Sequence, residues 1–210
     1  GGWPLPTDKA RSMDIQSDGK ILVTGYSWGS YGNSSETDFL TARFNTDGSL
    51  DEDFSVEDSK VNVKGFIRTN IQGNDEAKSI KVLPNGKFII AGTSGWGSSS
   101  PVFSLVRYNS DGSLDWKVTT NNDNDDVYAN DMEVQQDGKI LLSGNMVSWP
   151  DNKIHFALFR YNADGTLDET FGQSGKVFTT DFETQRAYSF SSALQSDGDI
   201  VLSGGTYKSL

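Results

Sequence analysis

The chain has 210 residues, with 18 lysines and arginines against 29 aspartates and glutamates, so its formal net charge is −11. This negative field repels nucleic-acid phosphates and anionic lipids, so neither is an expected partner, whereas cations and neutral glycans remain open. The absence of cysteine excludes disulfides, thiolate nucleophiles and cysteine zinc sites, and no apolar run approaches the roughly 20 residues that a membrane-spanning helix needs.

The composition favours short strands joined by turns. Hydrophobic residues make up only 35%, but there are 22 glycines, 12 phenylalanines, 7 tyrosines and 5 tryptophans. No segment shows the 3.6-residue apolar period of an amphipathic helix, so almost no helix is expected.

Two sequence blocks alternate along the chain. The first is SDGKILVTG at 17–25, PNGKFIIAG at 84–92, QDGKILLSG at 136–144 and SDGDIVLSG at 196–204. The second is FLTARFNTDGSLDEDF at 39–54, FSLVRYNSDGSLDWKV at 103–118 and FALFRYNADGTLDETF at 156–171. Equivalent turns lie 67, 52 and 60 positions apart, which is typical of an array of one supersecondary unit.

Each unit is predicted to contain four strands. Strand a precedes the first Asp-Gly or Asn-Gly turn, strand b follows it, strand c ends at the repeated arginine, and strand d follows the second turn. Strand b is apolar without alternation, which predicts burial on both faces. Antiparallel hairpins place the b–c and d–a connections at one face and the Asp-Gly turns at the other.

The predicted fold is therefore an all-β β-propeller of four-stranded antiparallel blades, with about three complete repeats and partial repeats at both ends. A β-solenoid is the alternative, but it would need shorter coils and no hairpin turns. The whole chain is treated as one domain or a fragment of one. The expected units are 9–70, 76–120, 128–182 and 186–210, with 1–8 as the last strand of a preceding unit.

These blocks resemble the delta-60 repeat family, whose hallmark is a DGKI(L/V)xxG strand followed by an (F/L)xLxR(Y/F)NxDGSLD block. The resemblance covers nearly the whole chain. It implies a bacterial β-propeller, secreted or at the cell surface. It implies no reaction, because the repeat and not an activity defines the family.

An arginine ends every strand c, and an aspartate follows it eight residues later. The pairs are Arg43 with Asp51, Arg107 with Asp115 and Arg160 with Asp168. An anion site is one interpretation. Three identical copies favour the other, a largely buried ion-pair clamp that holds the c–d turn in each blade.

The NxDG(S/T)LD turns resemble calcium loops superficially, but their glycine comes too early for an EF-hand, so Asx-type turns are predicted. The d–a connection with Asn121, Asp123, Asp125 and Asp126 has alternating oxygen ligands, as at the start of a calcium loop. Two interpretations stay open for it: a weak calcium site, and a solvated acidic loop.

Residues 25–29, GYSWG, match the G-x-S-x-G motif of hydrolases, but no helix is expected after it and the chain has a single histidine, His155. The b–c loops are a different candidate because they carry Trp28, Tyr31, Trp96 and Trp149. With the acidic d–a connections on the same face, these aromatics could form a sugar- or cation-binding surface. Alternatively, each tryptophan packs on its own blade.

The sequence thus predicts a non-catalytic extracellular module with a structural, adhesive or ligand-binding role in a larger bacterial protein. A glycan or a protein surface is the expected partner, together with further chain or another subunit to complete the ring. No cofactor other than calcium is expected. The alternative is a propeller hydrolase or lyase that acts on a polysaccharide through two carboxyl groups on the loop-bearing face.

Overall fold

The structure is a computed structural model, and it describes residues 8–28, 36–54, 64–97, 100–150, 152–179 and 186–207. These residues form fourteen strands and no helix. Accordingly, nothing in the described part of the chain could cross a membrane as a helix. The prediction of an all-β chain is confirmed.

The strands form two four-stranded antiparallel sheets, units 1 and 2, and one six-stranded sheet, which consists of four antiparallel strands, unit 3, and two further strands, unit 4. Unit 1 contains β1 (Asp8–Ile15), β2 (Ile21–Trp28), β3 (Thr37–Phe44) and β4 (Phe66–Thr69). Unit 2 contains β5 (Asn74–Val82), β6 (Phe88–Trp96), β7 (Val102–Tyr108) and β8 (Leu114–Thr120). Unit 3 contains β9 (Asp126–Val134), β10 (Ile140–Ser148), β11 (Lys153–Tyr161) and β12 (Lys176–Phe178), and unit 4 contains β13 (Arg186–Leu194) and β14 (Ile200–Tyr207).

Four-stranded blades are thus confirmed for units 1 to 3, in the order a, b, c, d. A single parallel bridge between Ile154 and Arg186 joins unit 4 to unit 3. The described strands show no pairing between units 1 and 4, so no closed ring is seen in this part of the chain. Residues 1–7 of the expected preceding strand lie outside the described residues, and Asp8, assigned to it from the sequence, instead begins β1.

The antiparallel order places the a–b and c–d turns at one end of every sheet, here called the turn-bearing face. The b–c and d–a connections lie at the other end, the loop-bearing face. This division agrees with the arrangement predicted from the sequence.

Successive units stack because strand a of each unit packs on strands a, b and c of the unit before it. Strand a is also an edge strand, so its outer N–H groups need partners from outside its own sheet. Side chains of the preceding unit supply them. The Val82 N–H donates to Asp14 Oδ2 at 2.7 Å, the Ala129 N–H to Thr93 Oγ1 at 2.9 Å, and the Ser189 N–H to Asn145 Oδ1 at 2.7 Å.

Every strand a carries a β-bulge at the same position of the repeat. The a–b register shifts by one residue in each unit, and the extra residues are Arg11, Lys78, Asn130 and Phe190. A bulge bends its strand and increases the local twist. The four-fold repetition makes it part of the architecture of the unit.

The bulge explains the glycine that ends the DGKIxxxG block. A Cβ atom would lie 1.8 Å from the Lys9 carbonyl oxygen at Gly25, 2.2 Å from that of Glu76 at Gly92, and 2.0 Å from that of Tyr128 at Gly144. Gly204 meets the same obstacle, the Tyr188 oxygen, at 2.1 Å. No side chain fits at this distance, so the repeated glycine is required by the close approach of a neighbouring backbone.

Burial on both faces is confirmed for the b strands that have a unit on either side. All but one residue of β6 are buried, and β10 is buried from Ile140 to Gly144. In the first and last units the described residues cover only one face of strand b. Leu22 of β2 is 0% exposed, whereas the equivalent Val201 of β14 is 45% exposed. Met13 of β1 is 58% exposed because no described unit covers that side of the strand.

The glycine requirement yields a stability prediction. Gly144→Ala should lower the free energy of unfolding by about 2–3 kcal/mol, because strands β9 and β10 must separate to admit the methyl group. Urea denaturation followed by tryptophan fluorescence measures the change.

Gly205→Ala is the matched control, since a Cβ there would first meet Phe190 at an ordinary 3.5 Å. That variant should unfold close to the wild type. Equal losses in both variants would show that the carbonyl contact is not the reason for the glycine.

Candidate functional site

The c–d turns hold themselves together through their own side chains. Asp47 Oδ1 accepts hydrogen bonds from the Ser49 N–H at 2.9 Å and from the Ser49 hydroxyl, which lowers the pKa of Asp47. Asp111 and Asp164 make the same contacts to Ser113 and Thr166. These are Asx-type turns, as predicted, and their carboxylates are already used within the turn.

The structure brings each predicted arginine and aspartate together. The Nε–Oδ2 distances are 2.7 Å for Arg43 and Asp51, 2.7 Å for Arg107 and Asp115, and 2.8 Å for Arg160 and Asp168. Burial differs from the expectation of largely buried pairs. The side chain of Arg43 is 9% exposed, but those of Arg107 and Asp115 are 17% and 24% exposed.

A lysine that the sequence analysis did not single out completes each pair. It is the third residue of the DGK turn, and its Nζ lies 2.7, 2.9 and 2.6 Å from the aspartate in units 1, 2 and 3; these lysines are Lys20, Lys87 and Lys139. The repetition of this lysine in three turns was the sequence signal that could have identified it. Hydrogen bonds from Lys139, Thr170 and Arg160 outweigh the burial of Asp168 and hold its pKa well below the usual range.

Each guanidinium also lies over an aromatic ring, and those of Arg43 and Arg107 contact the next unit. The ring centroids lie 4.3 Å from Arg43 at Phe54, 4.8 Å from Arg107 at Trp116 and 4.3 Å from Arg160 at Phe171. Arg43 Nη1 donates to the Ser110 carbonyl of unit 2 at 2.7 Å, and Arg107 Nη1 donates to the equivalent Ala163 carbonyl of unit 3. The predicted clamp therefore joins neighbouring units as well as closing its own turn.

The loop-bearing face presents one aromatic side chain at the end of strand b in every unit. Trp28 is 53% exposed, Trp96 61%, Trp149 52% and Tyr207 60%. Tyr31, the remaining candidate, lies outside the described residues. Packing of each tryptophan on its own blade, the alternative raised by the sequence, leaves more than half of these side chains uncovered.

The acidic connection before β9 is folded around its own hydrogen bonds. Asn122 Nδ2 donates to Asp125 Oδ2 at 3.1 Å, the Trp149 N–H donates to Asp125 Oδ1 at 3.0 Å, and Lys176 Nζ donates to the Asn121 carbonyl at 2.8 Å. No group of three or more carboxylate or histidine side chains in the described residues is arranged to hold a metal ion. Asp125 thus already accepts two hydrogen bonds, and calcium binding by Asn121, Asp123, Asp125 and Asp126 stays a prediction.

Two buried aspartates, which the sequence analysis missed, lie between units 1 and 2. Asp38 of β3 is 7% exposed and accepts hydrogen bonds from Arg68 Nε and Asn70 Nδ2. Asp75 of β5 is 0% exposed and accepts from the Ile71 N–H at 2.6 Å and the Gln72 N–H at 3.2 Å. Burial, with a smaller contribution from the Asp38 charge, raises the pKa of Asp75 to about 6 despite these hydrogen bonds.

The hydrolase motif does not form a nucleophile elbow. Ser27 lies inside β2, where it pairs with Asp38 of β3, and it is 8% exposed. His155 lies in unit 3, where its Nδ1 contacts the Thr179 carbonyl at 2.8 Å and its Nε2 lies 3.5 Å from the Ser148 hydroxyl. The serine and the histidine therefore belong to different units and different hydrogen-bond networks.

Comparison with known proteins identifies the repeat. The model of a β-propeller domain family of unknown function, DUF5122, matches residues 16–54, 83–115 and 135–171, together just over half of the chain. No curated protein matches the chain significantly. A crystal structure of a protein of unknown function from Dyadobacter fermentans DSM 18053 is similar, with a TM-score of 0.55 and 12% identity. The likeness covers 97% of this chain but only 58% of that one, and at this identity it shows the fold alone.

The clamp predicts that removing a buried arginine is costly. Arg43→Ala should lower the free energy of unfolding by about 3 kcal/mol, because Asp51 loses a buried partner and Ser110 loses a donor from the neighbouring unit. Arg11→Ala is the control, since its ion pair with Glu76 is exposed at 41% and 29% and should contribute less than about 1 kcal/mol. Equal denaturation midpoints for Arg43→Ala and the wild type would contradict a structural clamp.

Asp75 predicts a pH dependence of stability. Its folded-state pKa of about 6 lies above the ordinary 3.8, so between these pH values the folded state holds a proton that the unfolded state releases. The contribution of Asp75 to stability is therefore present below pH 4 and falls by about 3 kcal/mol as the pH rises through 6.

Asp75→Asn cannot ionise, so its free energy of unfolding relative to the wild type should rise by about that amount between pH 4 and pH 7. Urea denaturation at four pH values measures it. Asp53→Asn, at an exposed position, controls for the general effect of removing one negative charge. A constant difference between Asp75→Asn and the wild type across the range would refute the raised pKa.

Proposed function

The chain belongs to the DUF5122 β-propeller family, and from this premise we propose that it is a non-catalytic, delta-60-type binding module of a larger bacterial extracellular or surface protein. Its ligand is a glycan, bound across the loop-bearing face. The observation that carries the proposal is the recurrence of an exposed aromatic side chain at or directly after the end of strand b in all four units.

Exposed aromatic rings are suited to sugars because a ring offers apolar area to the C–H face of a pyranose while leaving the hydroxyl groups in water. Rings placed one per unit meet successive sugars of a chain rather than enclosing a single monosaccharide. A linear polysaccharide therefore fits this surface better than a small ligand in a deep pocket.

Charge narrows the class of glycan. At −11, the chain repels polyanions such as phosphorylated or sulfated polymers, whereas neutral and amino sugars meet no such barrier. The acidic d–a connections lie on the same face as the tryptophans. One of these carboxylates, Asp125, accepts a hydrogen bond from the backbone N–H of Trp149.

A polysaccharide-cleaving enzyme is the second candidate, because the raised pKa of Asp75 is the property expected of a general acid. The geometry favours a structural role instead. Asp75 is fully buried, and its two oxygens accept backbone hydrogen bonds that close the connection between β4 and β5. A general acid must reach the glycosidic oxygen from the surface.

Glycan binding can be tested by affinity electrophoresis and by titration against a panel of neutral and amino-sugar polysaccharides. Trp28→Ala, Trp96→Ala and Trp149→Ala should each weaken binding by about threefold to tenfold, the effect of losing one stacked ring. Phe190→Ala is the matched control, since Phe190 is 61% exposed but lies in the β13 bulge.

Binding that survives the triple tryptophan variant, or falls equally in Phe190→Ala, would count against the loop-bearing face as the site. If the wild-type chain cleaved a polysaccharide and Asp75→Asn abolished that cleavage, the enzyme would replace the binding module as the proposed function.

A further inference from the structure

The buried Asp75 departs from the pattern of the repeat. It lies on strand a, two residues before the residue that pairs with the repeated glycine of strand b, and units 3 and 4 have Val127 and Ala187 at this position. These three side chains are 0%, 0% and 1% exposed, whereas the equivalent Asp8 of unit 1 is exposed. An apolar side chain is thus sufficient for packing between units, and a buried carboxyl group lowers stability. Such departures from the rules of a fold are typical of functional positions.

The backbone opposite Asp75 is irregular as well. The pairing of β5 with β6 leaves two residues, Ser94 and Gly95, opposite the single Asp75. Gly95 has a φ of 84°, which suits a β-bulge. The a–b pairs of the other units shift register only once along their described strands. This second bulge of unit 2 directly precedes Trp96, whose side chain is 61% exposed on the loop-bearing face.

The carboxyl group of Asp75 organises residues 70–73, here called the β4–β5 connection. It accepts hydrogen bonds from the Ile71 N–H at 2.6 Å and the Gln72 N–H at 3.2 Å. The Gln72 carbonyl accepts in turn from the Gly95 N–H at 2.7 Å. The position of the bulge before the exposed tryptophan therefore depends on the connection that Asp75 holds.

Asn74, the neighbour of Asp75, forms a second link to Trp96. Its Nδ2 donates to the Trp96 carbonyl at 2.7 Å, and its Oδ1 accepts from the Thr37 N–H of unit 1 at 3.0 Å. Both links join the backbone around Asp75 to the backbone that carries the tryptophan ring. A displacement of the β4–β5 connection would therefore move Trp96.

One charged group acts directly on Asp75. It is Asp38 of β3, which is itself bonded to Arg68 of β4. Strands β2 and β6 carry no charged residue. The charged groups that reach β5 or the connection from β1, β8 and β9 are bonded elsewhere; they are Arg11 to Glu76, Asp14 to the Val82 N–H, Lys117 to the Asn70 carbonyl, Asp131 to Ser79 and Glu133 to Lys81.

The proton of Asp75 is coupled to its burial. Burial raises the pKa of Asp75 to about 6, from an ordinary 3.8. When the β4–β5 connection opens, water reaches the carboxyl group and its pKa returns toward the ordinary value. The closed form therefore holds the proton more tightly, so the ratio of closed to open form falls by about a hundredfold as the pH rises from below 4 to above 6.

We propose that Asp75 is a proton-dependent positioning residue for Trp96, so that the loop-bearing face binds its polysaccharide more tightly at weakly acidic than at neutral pH. With its proton, Asp75 keeps the connection closed on the bulge and holds Trp96 in place. Without it, the buried charge favours the open connection, and Trp96 loses its support. This inference rests on the proposed function and adds a control of the same site by pH.

Hydrogen exchange tests this control without any ligand. The exchange rates of the Ile71, Gln72 and Gly95 amides, divided by their intrinsic rates at each pH, should rise by about tenfold between pH 5 and pH 7.5. In Asp75→Asn the corrected rates should stay constant. The Val127 amide, bonded to the Pro101 carbonyl at the equivalent position of unit 3, is the internal control.

Asp38→Asn is the second variant, because it keeps the carboxyl group of Asp75 and removes the charge beside it. The rise in corrected exchange rate should then occur at lower pH than in the wild type.

Binding is measured with the neutral polysaccharide that binds most tightly in the panel, since such a ligand has no titrating group. Its affinity for the wild type should fall by about threefold to tenfold between pH 5 and pH 7.5, toward that of Trp96→Ala. The affinities of Trp96→Ala and Asp75→Asn should not change with pH. Trp28→Ala is the matched control, and it should keep the pH dependence of the wild type.

Corrected exchange rates that do not change with pH, or that change equally in Asp75→Asn, would overturn the proposal. A pH dependence of binding that survives in Trp96→Ala would overturn it as well. If no polysaccharide of the panel binds, the proposed function fails together with the control of binding, whereas exchange still decides whether the proton of Asp75 controls the backbone around Trp96.

Discussion

The arrangement of the units depends on how the arginine of strand c divides its donors. Nε is committed to the aspartate of its own c–d turn, and Nη1 reaches the turn of the next unit. A planar guanidinium with five donors in fixed directions can do both at once, whereas a lysine could not reproduce this geometry. The shape of one turn is thereby coupled to the position of its neighbour, and the Asx turn holds the accepting carbonyl in place.

Strand b is the second element on which the stack depends, because it is covered on both faces. Its apolar side chains face the units before and after it, so they cannot alternate with polar residues as in a half-exposed sheet. The bulge in strand a brings a carbonyl against strand b at one point, and only glycine fits there. Apolar residues and one glycine are therefore two consequences of the same packing.

The turn-bearing face and the loop-bearing face serve different purposes for a physical reason. On the turn-bearing face, short turns use their polar groups internally, and their ion pairs are partly or wholly buried. On the loop-bearing face, the connections vary in length and carry exposed aromatic rings and carboxylates. Variable loops on a repeated framework can change a binding surface without disturbing the contacts between units.

The sequence by itself determined the class of fold, the strand order within a unit and the division into two faces. Asp-Gly turns and apolar strands are local signals, and repetition every 52 to 67 residues made them unambiguous. It also paired Arg43 with Asp51, because eight residues across a hairpin turn is a local distance. It did not find Lys20, whose contact with Asp51 depends on two hairpins lying side by side.

Only the tertiary structure decided the contacts between units. The Ser110 carbonyl lies 67 residues from Arg43, and Asp75 is buried because unit 2 packs on unit 1; neither fact has a signature in nearby residues. The acidic run before β9 shows how tertiary contacts add to a local pattern. Its alternating oxygens predict calcium binding from spacing alone, whereas the hydrogen bonds of Asp125 to the backbone N–H of Trp149 and to Asn122 depend on where the neighbouring loop lies.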